Sequence, residues 1–391
     1  MTSPQKQLPP AENTVKFIPL TAQTLLQELL NDTRARRLLK EPDLQLFQKV
    51  AQLLQNLYHH EFHQHTKHFI ELYSPLCHDT ETYSLRPPSQ KTLNQNQAEL
   101  LSHLEKLLSQ ANYYSLDPTQ ELQHRLSEKH PLAQKIPLDE FEVFKVYIRS
   151  APLRPSLIPV DPAQTPETYS RVCLLAQFKK DPHFDFKDHP YLYLKLFKNI
   201  PKEQLERIVP QGNYQIPLSL KRRTTLSFFC LLFSTTFFYF QTLFSPHLFF
   251  WLIPALFALY LLGCIRKQEI LRQKHWSSFN TALYFSSMDH NFGVFYHLIQ
   301  SAEEEEFKEA LLVYYFLLTS QTYFTENTLN QHICTWLKNL CKVDIDFDIR
   351  DGIQKLQKAR LLYCQEETYL GAIDLQTAYH KLRQDWLALA P

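Results

Sequence analysis

The chain has 391 residues, with 41 Lys plus Arg against 40 Asp plus Glu and a formal net charge of +1. That length accommodates two or three domains of about 100–200 residues each, and the balanced charge gives no global attraction to nucleic acid or anionic lipid, so any such binding must be local. Glycine is scarce, 5 in the whole chain, and the closest two, Gly352 and Gly371, are 19 residues apart. This excludes GxGxxG, Walker A and GxSxG motifs, because their backbones must approach a ligand or turn sharply at glycine.

The first 13 residues, with Pro4, Pro9 and Pro10, read as a disordered tail. Met1–Leu20 lacks a signal-peptide apolar core, carries Glu12, and has no arginine before Arg34, so neither a secretory leader nor a mitochondrial presequence is expected. Residues 14–130 read as a helical domain. After Pro42, Leu44, Phe47, Val50, Ala51, Leu54, Leu57, Tyr58, Phe62, Phe69 and Leu72 recur at three- and four-residue steps. They predict one long amphipathic helix ending near Pro75. A second helix follows Ser89, and a third is expected from Asp117-Pro118-Thr119-Gln120. The long helix carries His59, His60, His63, His65 and His68. His59 and His63 share a face, but the order is not HExxH and spacing supplies no third ligand, so a polar histidine-rich face is expected and no metal.

Residues 131–223 read as a small α+β domain. Phe144, Val146 and Ile148 alternate with Lys145, Tyr147 and Arg149; Val172, Leu174, Ala176 and Phe178 alternate next, then Leu192, Leu194 and Leu196. These period-two runs predict three strands. Prolines 152, 155, 159, 162 and 166 mark an extended loop between them. Ile200-Pro201 begins a short helix, and Tyr214, Ile216, Leu218 and Leu220 suggest a further strand.

Thr224–Ile265 is a run of 42 residues without Asp, Glu, Lys or Arg. Leu226–Phe244 and Leu248–Ile265 each approach the ~30 Å hydrocarbon thickness as helix, and Ser245-Pro246-His247 is a turn signal. Residues 224–265 are therefore expected to form a two-helix transmembrane hairpin with the lipid bilayer as partner. Lys221, Arg222 and Arg223 precede it and Arg266 and Lys267 follow it, which places both flanks on one side. Both soluble portions are expected on the positive, cytoplasmic or matrix, side.

Residues 266–325 read as a helical segment. The acids Glu303–Glu306 are expected near a helix start, complementing its dipole, solvated or ion-paired rather than holding a metal. Residues 326–391 read as helix, helix, short hairpin and helix, an order that looks like a winged helix. Lys355, Lys358 and Arg360 lie on its would-be recognition helix, but Asp351 accompanies them, and the turn carries Glu366 and Glu367 where a DNA-reading wing is basic. Packing against protein is expected there, and nucleic acid is disfavoured. The seven cysteines, 77, 173, 230, 264, 334, 341 and 364, form no CxxC pair, consistent with a reducing compartment.

Several stretches carry a resemblance: Leu194 to Lys202 with Leu205-Glu206, Ala302 to Leu312, Phe347 to Leu362, and Tyr58 to His63. Together they resemble the transmembrane protein 143-like family, from about Val15 onward. The resemblance implies a membrane location and this architecture and points to no particular biochemical activity; with no presequence expected, it implies the bacterial cytoplasmic (inner) membrane, multi-pass, with both termini cytoplasmic. The fold class expected is α+β, mainly helical: a helical N-terminal region, a small sheet domain, a two-helix transmembrane hairpin and a winged-helix-like C-terminal domain. The function expected is a membrane-anchored interaction or scaffold protein with a protein partner or a homo-oligomer. The alternatives are a membrane-surface enzyme, with Lys195, Lys198, Lys202, Glu203 and Glu206 as its polar cluster, and a membrane-tethered nucleic-acid regulator. No catalytic, cofactor-binding or metal-binding residue is assigned, and no cofactor is expected.

Overall fold

The computed structural model describes residues 14–79, 85, 88–116, 140–150, 168–179, 191–201, 205, 208, 218–242, 252–320, 323–365 and 369–389. The elements in chain order are β1 (Thr14–Val15), α1 (Ala22–Asn31), α2 (Thr33–Leu38), α3 (Glu41–Tyr73), α4 (Gln90–Gln110), β2 (Tyr114–Leu116), β3 (Phe141–Ser150), β4 (Thr168–Phe178), β5 (Leu192–Pro201), α5 (Leu218–Thr242), α6 (Leu252–Ser286), β6 (Ser287–His290), α7 (Phe292–Leu318), α8 (Glu326–Cys341), β7 (Asp344–Ile345), α9 (Ile349–Lys358), β8 (Leu362–Gln365), β9 (Tyr369–Ala372) and α10 (Leu375–Leu389). The class is α+β and mainly helical. Two compact units result: residues 1–116, 142–200 and 288–391 in one, residues 117–141 and 201–287 in the other.

The first unit is organised by two long helices. α3 starts where Pro42 fits the first turn and the Asp43 carboxylate accepts the Lys40 N–H at 3.3 Å. It runs 33 residues, about 50 Å. α7 is buried on nearly every side from Glu305 to Leu317, as expected of a helix that is largely apolar all round. Phe47, Val50, Ala51 and Leu54 from the start of α3 join Phe307 to Leu317 of α7, together with α1, α8, α9 and α10, in one apolar cluster. Phe62, Phe69, Leu72 and Tyr73 from the end of α3 join Val294, Phe295, Leu298 and Ile299, with α4 and the sheet, in a second. The two helices are thus antiparallel, and each crosses from one cluster to the other near its middle.

The sheet has the order β2-β3-β4-β5-β6 and is antiparallel; Tyr114 stands opposite Ile148 and Leu116 opposite Val146. β4 is central, and Val172–Phe178 is buried at every residue. The side of β3 that looks polar in the sequence also faces protein. Lys145 reaches Glu105 of α4, Tyr147 joins the core and Arg149 reaches α7. A buried knot anchors β5 to both long helices. The Tyr73 hydroxyl lies 2.8 Å from both the Leu192 carbonyl and Asn291 Oδ1, and Asn291 Oδ1 also accepts the Leu194 N–H at 3.3 Å.

The helix expected after Ser89 is present, with the Ser89 hydroxyl accepting the Thr92 N–H at 3.3 Å. The three strands and the helix–helix–hairpin–helix order of the C-terminal region are present as well. Other expectations need correction. Leu218 and Leu220 open α5 rather than a strand. The strand β6 has no period-two signal. The acids Glu303–Glu306 lie in the middle of α7, which begins eleven residues earlier at Phe292, so the helix dipole is not their reason. The tail at residues 1–13, the helix expected from Asp117, the proline-rich loop, the turn at Ser245-Pro246-His247 and the acidic turn at Glu366 and Glu367 lie outside the described residues.

The transmembrane hairpin and the inner-membrane, multi-pass localisation are overturned. No helix among the described residues is long and apolar enough to cross a membrane. The reason lies in where the helices fall on the uncharged run. In α6 only Leu252–Ile265 precedes Arg266, 14 residues or about 21 Å, short of the ~30 Å required. In α5 the uncharged part Thr224–Thr242 holds eight polar residues in 19: Thr224, Thr225, Ser227, Ser234, Thr235, Thr236, Gln241 and Thr242. Several of these hydroxyls donate back to the helix, Ser234 to the Leu231 carbonyl and Thr235 to that of Leu232, each at 2.9 Å.

Candidate functional site

The acidic run of α7 sits where the two apolar clusters meet, and each carboxylate there has a partner. Glu305, 2% exposed, lies 2.9 Å from the Arg149 guanidinium and 2.7 Å from Lys308 Nζ. It also accepts the Ile18 N–H at 3.1 Å. Lys308 donates in turn to the carbonyls of Ile18 at 2.8 Å and Leu20 at 3.0 Å, while Glu304 accepts the Ala22 N–H at 2.9 Å. α7 therefore clasps the extended segment between β1 and α1. That segment continues into a parallel pairing of β1 with β7, Thr14 opposite Asp344. Arg149 is further held over the Phe17 ring at 3.9 Å, a cation–π contact.

One helical turn on, Lys355 of α9 enters the same seam. Its ammonium contacts Glu309 at 2.6 Å, Asp351 at 2.7 Å and Glu306 at 3.0 Å. Burial alone would lower the Lys355 pKa, but the carboxylates of Glu309, Glu306 and Asp351 outweigh it and hold the ammonium above the ordinary lysine range. Burial raises both Glu306 and Glu309, with Lys355 opposing, and pushes Glu309 up to about 8. Four carboxylates (Glu305, Glu306, Glu309, Asp351) meet three cations (Arg149, Lys308, Lys355), a surplus of one negative charge. A proton retained by Glu309 brings the set to neutrality, the state that burial favours.

This belt decides what α9 presents. Ile349, Gly352, Ile353 and Leu356 are buried, and a Cβ on Gly352 would stand 2.8 Å from Val313 Cγ2 and 3.2 Å from the Glu309 carbonyl oxygen. Only glycine allows α9 this close to α7. Of the cations that spacing placed on a recognition face, Lys355 is in the belt with its side chain largely buried, Lys358 is exposed and pairs with Glu61 of α3 at 2.7 Å, and Arg360, just past the end of α9, is exposed.

The second unit, taken by itself, has the opposite character. α5 and α6 pack together, with the Gln268 amide donating to the Thr224 hydroxyl at 3.2 Å and Ser227, Ser234 and Cys264 buried. Around them large apolar side chains face outward: Leu226, Phe233, Phe240, Leu256, Leu259 and Leu262 are 57–71% exposed. Folded monomers rarely expose an apolar surface of this kind.

The histidines of α3 diverge. His59 Nδ1 meets Glu303 at 3.1 Å, His60 lies edge-on to Trp386, and His68 faces α4. Among the described residues two groups could offer a metal three ligand atoms: His68, Glu99 and His103, and Cys77, His78 and Asp79. In the second, burial raises the Cys77 thiol above its ordinary value. Lys195 and Lys198 are exposed on β5, whereas Lys202, Glu203 and Glu206 lie outside the described residues. Sequence spacing misses the belt because its members come from β3, α7 and α9, and it misses His103 because the partner of His68 lies on another helix. The chain matches no protein-family model and no solved structure.

Proposed function

We propose that the protein is an interaction or scaffold protein, that the α5–α6 hairpin is its contact element, and that the occupant is a second copy of the chain. The observation that carries this is the outward apolar surface of both helices, Phe233 and Leu259 among it at 71% and 65% exposure. The surface is apolar around both helices rather than along one stripe, and Thr224–Ile265 has no charge with which to select a foreign surface or to oppose a like one. Two hairpins form a four-helix bundle, which buries such faces on all sides. Arg222, Arg223, Arg266 and Lys267 all flank one end of the hairpin, so an antiparallel two-fold pairing keeps the basic ends apart.

The packing of α9 against α7 supports the same reading over nucleic-acid binding: Lys355, one of the cations expected on a recognition face, has its side chain largely buried against Glu306 and Glu309.

Sedimentation at micromolar concentration tests the proposal. The expected species has twice the 46.4 kDa chain mass. Phe233→Glu combined with Leu259→Glu should give a folded monomer, with far-UV circular dichroism unchanged. A wild type that sediments as a monomer, or that floats with phospholipid vesicles through these residues, would overturn it.

A further inference from the structure

We propose that His68, Glu99 and His103 form a binding site for a divalent transition-metal ion of the zinc type, on the surface where α3 meets α4. Glu99 and His103 are four residues apart on α4 and so share one face. His68 on α3 points at the same spot. Its Nε2 lies 3.3 Å from Glu99 Oε1, and His103 Nε2 lies 3.8 Å from that same oxygen. One ligand atom from each of the three residues falls within 4.8 Å of the others. In a tetrahedral site with metal–ligand bonds of about 2.0–2.1 Å, neighbouring ligand atoms stand about 3.3 Å apart. One edge already has that length, and a small side-chain rotation of His103 brings the second to it.

The two imidazoles are set before any ion arrives. The His68 and His103 rings are perpendicular at 4.9 Å between centroids, and His103 lies edge-on to Phe69, which is buried in the core between the helices. Leu72, Leu100 and Leu104 are buried in the same cluster and fix the spacing of α3 and α4. The backbone positions of all three ligands are therefore rigid, which lowers the ordering cost of binding. The donor set selects the ion: two imidazoles and one carboxylate suit zinc, cobalt, nickel and copper, whereas magnesium and calcium take oxygen ligands. The three side chains are 40–50% exposed, so an ion can enter from solvent and its fourth position is open to water. His65, close to His68 and His103, also senses Glu61 and Lys106; the Glu61 carboxylate is paired with Lys358 at 2.7 Å.

The probe is Co2+ added to the full-length protein, followed by its visible absorption and then displaced by Zn2+. One equivalent should bind with tetrahedral-type bands that Zn2+ removes. In a His68→Ala, His103→Ala variant that equivalent should be lost, with affinity at least 100-fold weaker. Because all three residues are partly exposed, the variant should keep its far-UV circular dichroism. His59→Ala with His63→Ala serves as the control and should leave the equivalent in place. No tight Co2+ binding by the wild type, or the same stoichiometry in the His68/His103 variant, would overturn the proposal. Loss of binding in the His59/His63 variant instead would move the site to the other end of the histidine run and equally overturn it.

Discussion

Replacing Lys355 with methionine keeps most of the side-chain volume and removes the charge from the centre of the belt. In the wild type the ammonium meets three carboxylates at 2.6, 2.7 and 3.0 Å, and its side chain is 9% exposed. Asp351 is 46% exposed and can return to water, so its share of the loss is small. Glu306 and Glu309, 7% and 8% exposed, cannot. Removing one partner of a buried ion pair costs about 3–5 kcal/mol, because the charge left behind has neither water nor a counterion. The variant has one escape, which is to protonate the stranded acids. Burial has already pushed Glu309 up to about 8, and loss of the opposing ammonium raises it further. The cost should therefore be about 3–5 kcal/mol at pH 8 and roughly half that at pH 5.5, where protonation relieves it. Urea unfolding followed by circular dichroism at both pH values measures this. Adding Glu309→Gln to the methionine variant should recover part of the loss at pH 8, since no second charge is then stranded. A cost below about 1 kcal/mol at pH 8 and equal at both pH values would refute the account, because the belt would then be a solvated surface network.

Two further outcomes follow from the same geometry. Glu309→Gln alone should gain on the wild type as pH rises from 5 to 8. The raised pKa of Glu309 means the folded state keeps a proton that the unfolded chain has released, so that contribution is lost as pH climbs, by at most about 1.4 kcal/mol per pH unit; parallel urea curves for the two proteins would contradict this. Tyr73→Phe removes the hydroxyl shared by the Leu192 carbonyl and Asn291, and should cost about 1–3 kcal/mol in thermal or urea unfolding, with β5 amides exchanging faster.

Much of the local structure was legible in the residues. The three- and four-residue recurrence from Leu44 to Leu72, opened by Pro42, is enough to define α3, because a helix with one apolar stripe has one face to bury. The alternation at Leu192, Leu194 and Leu196 defines β5 in the same way, and the helix–helix–hairpin–helix order from Glu326 to Leu389 needs only periodicity and short turns. The absence of nucleotide loops follows from five glycines alone. Tertiary structure decided the rest, because a charge or an apolar run has no fixed meaning until its neighbours are placed. The acids of α7 read in sequence as solvated or ion-paired, and packing decides for ion-paired and buried at Glu305, Glu306 and Glu309, with Arg149, Lys308 and Lys355 arriving from β3, α7 itself and α9. An uncharged run of 42 residues looks membrane-spanning, yet α6 holds 14 uncharged residues before Arg266 and α5 eight polar residues in 19. Coulomb attraction and desolvation act through space, so the partners of a side chain are set by the packing of α3, α7 and α9 rather than by their separation along the chain.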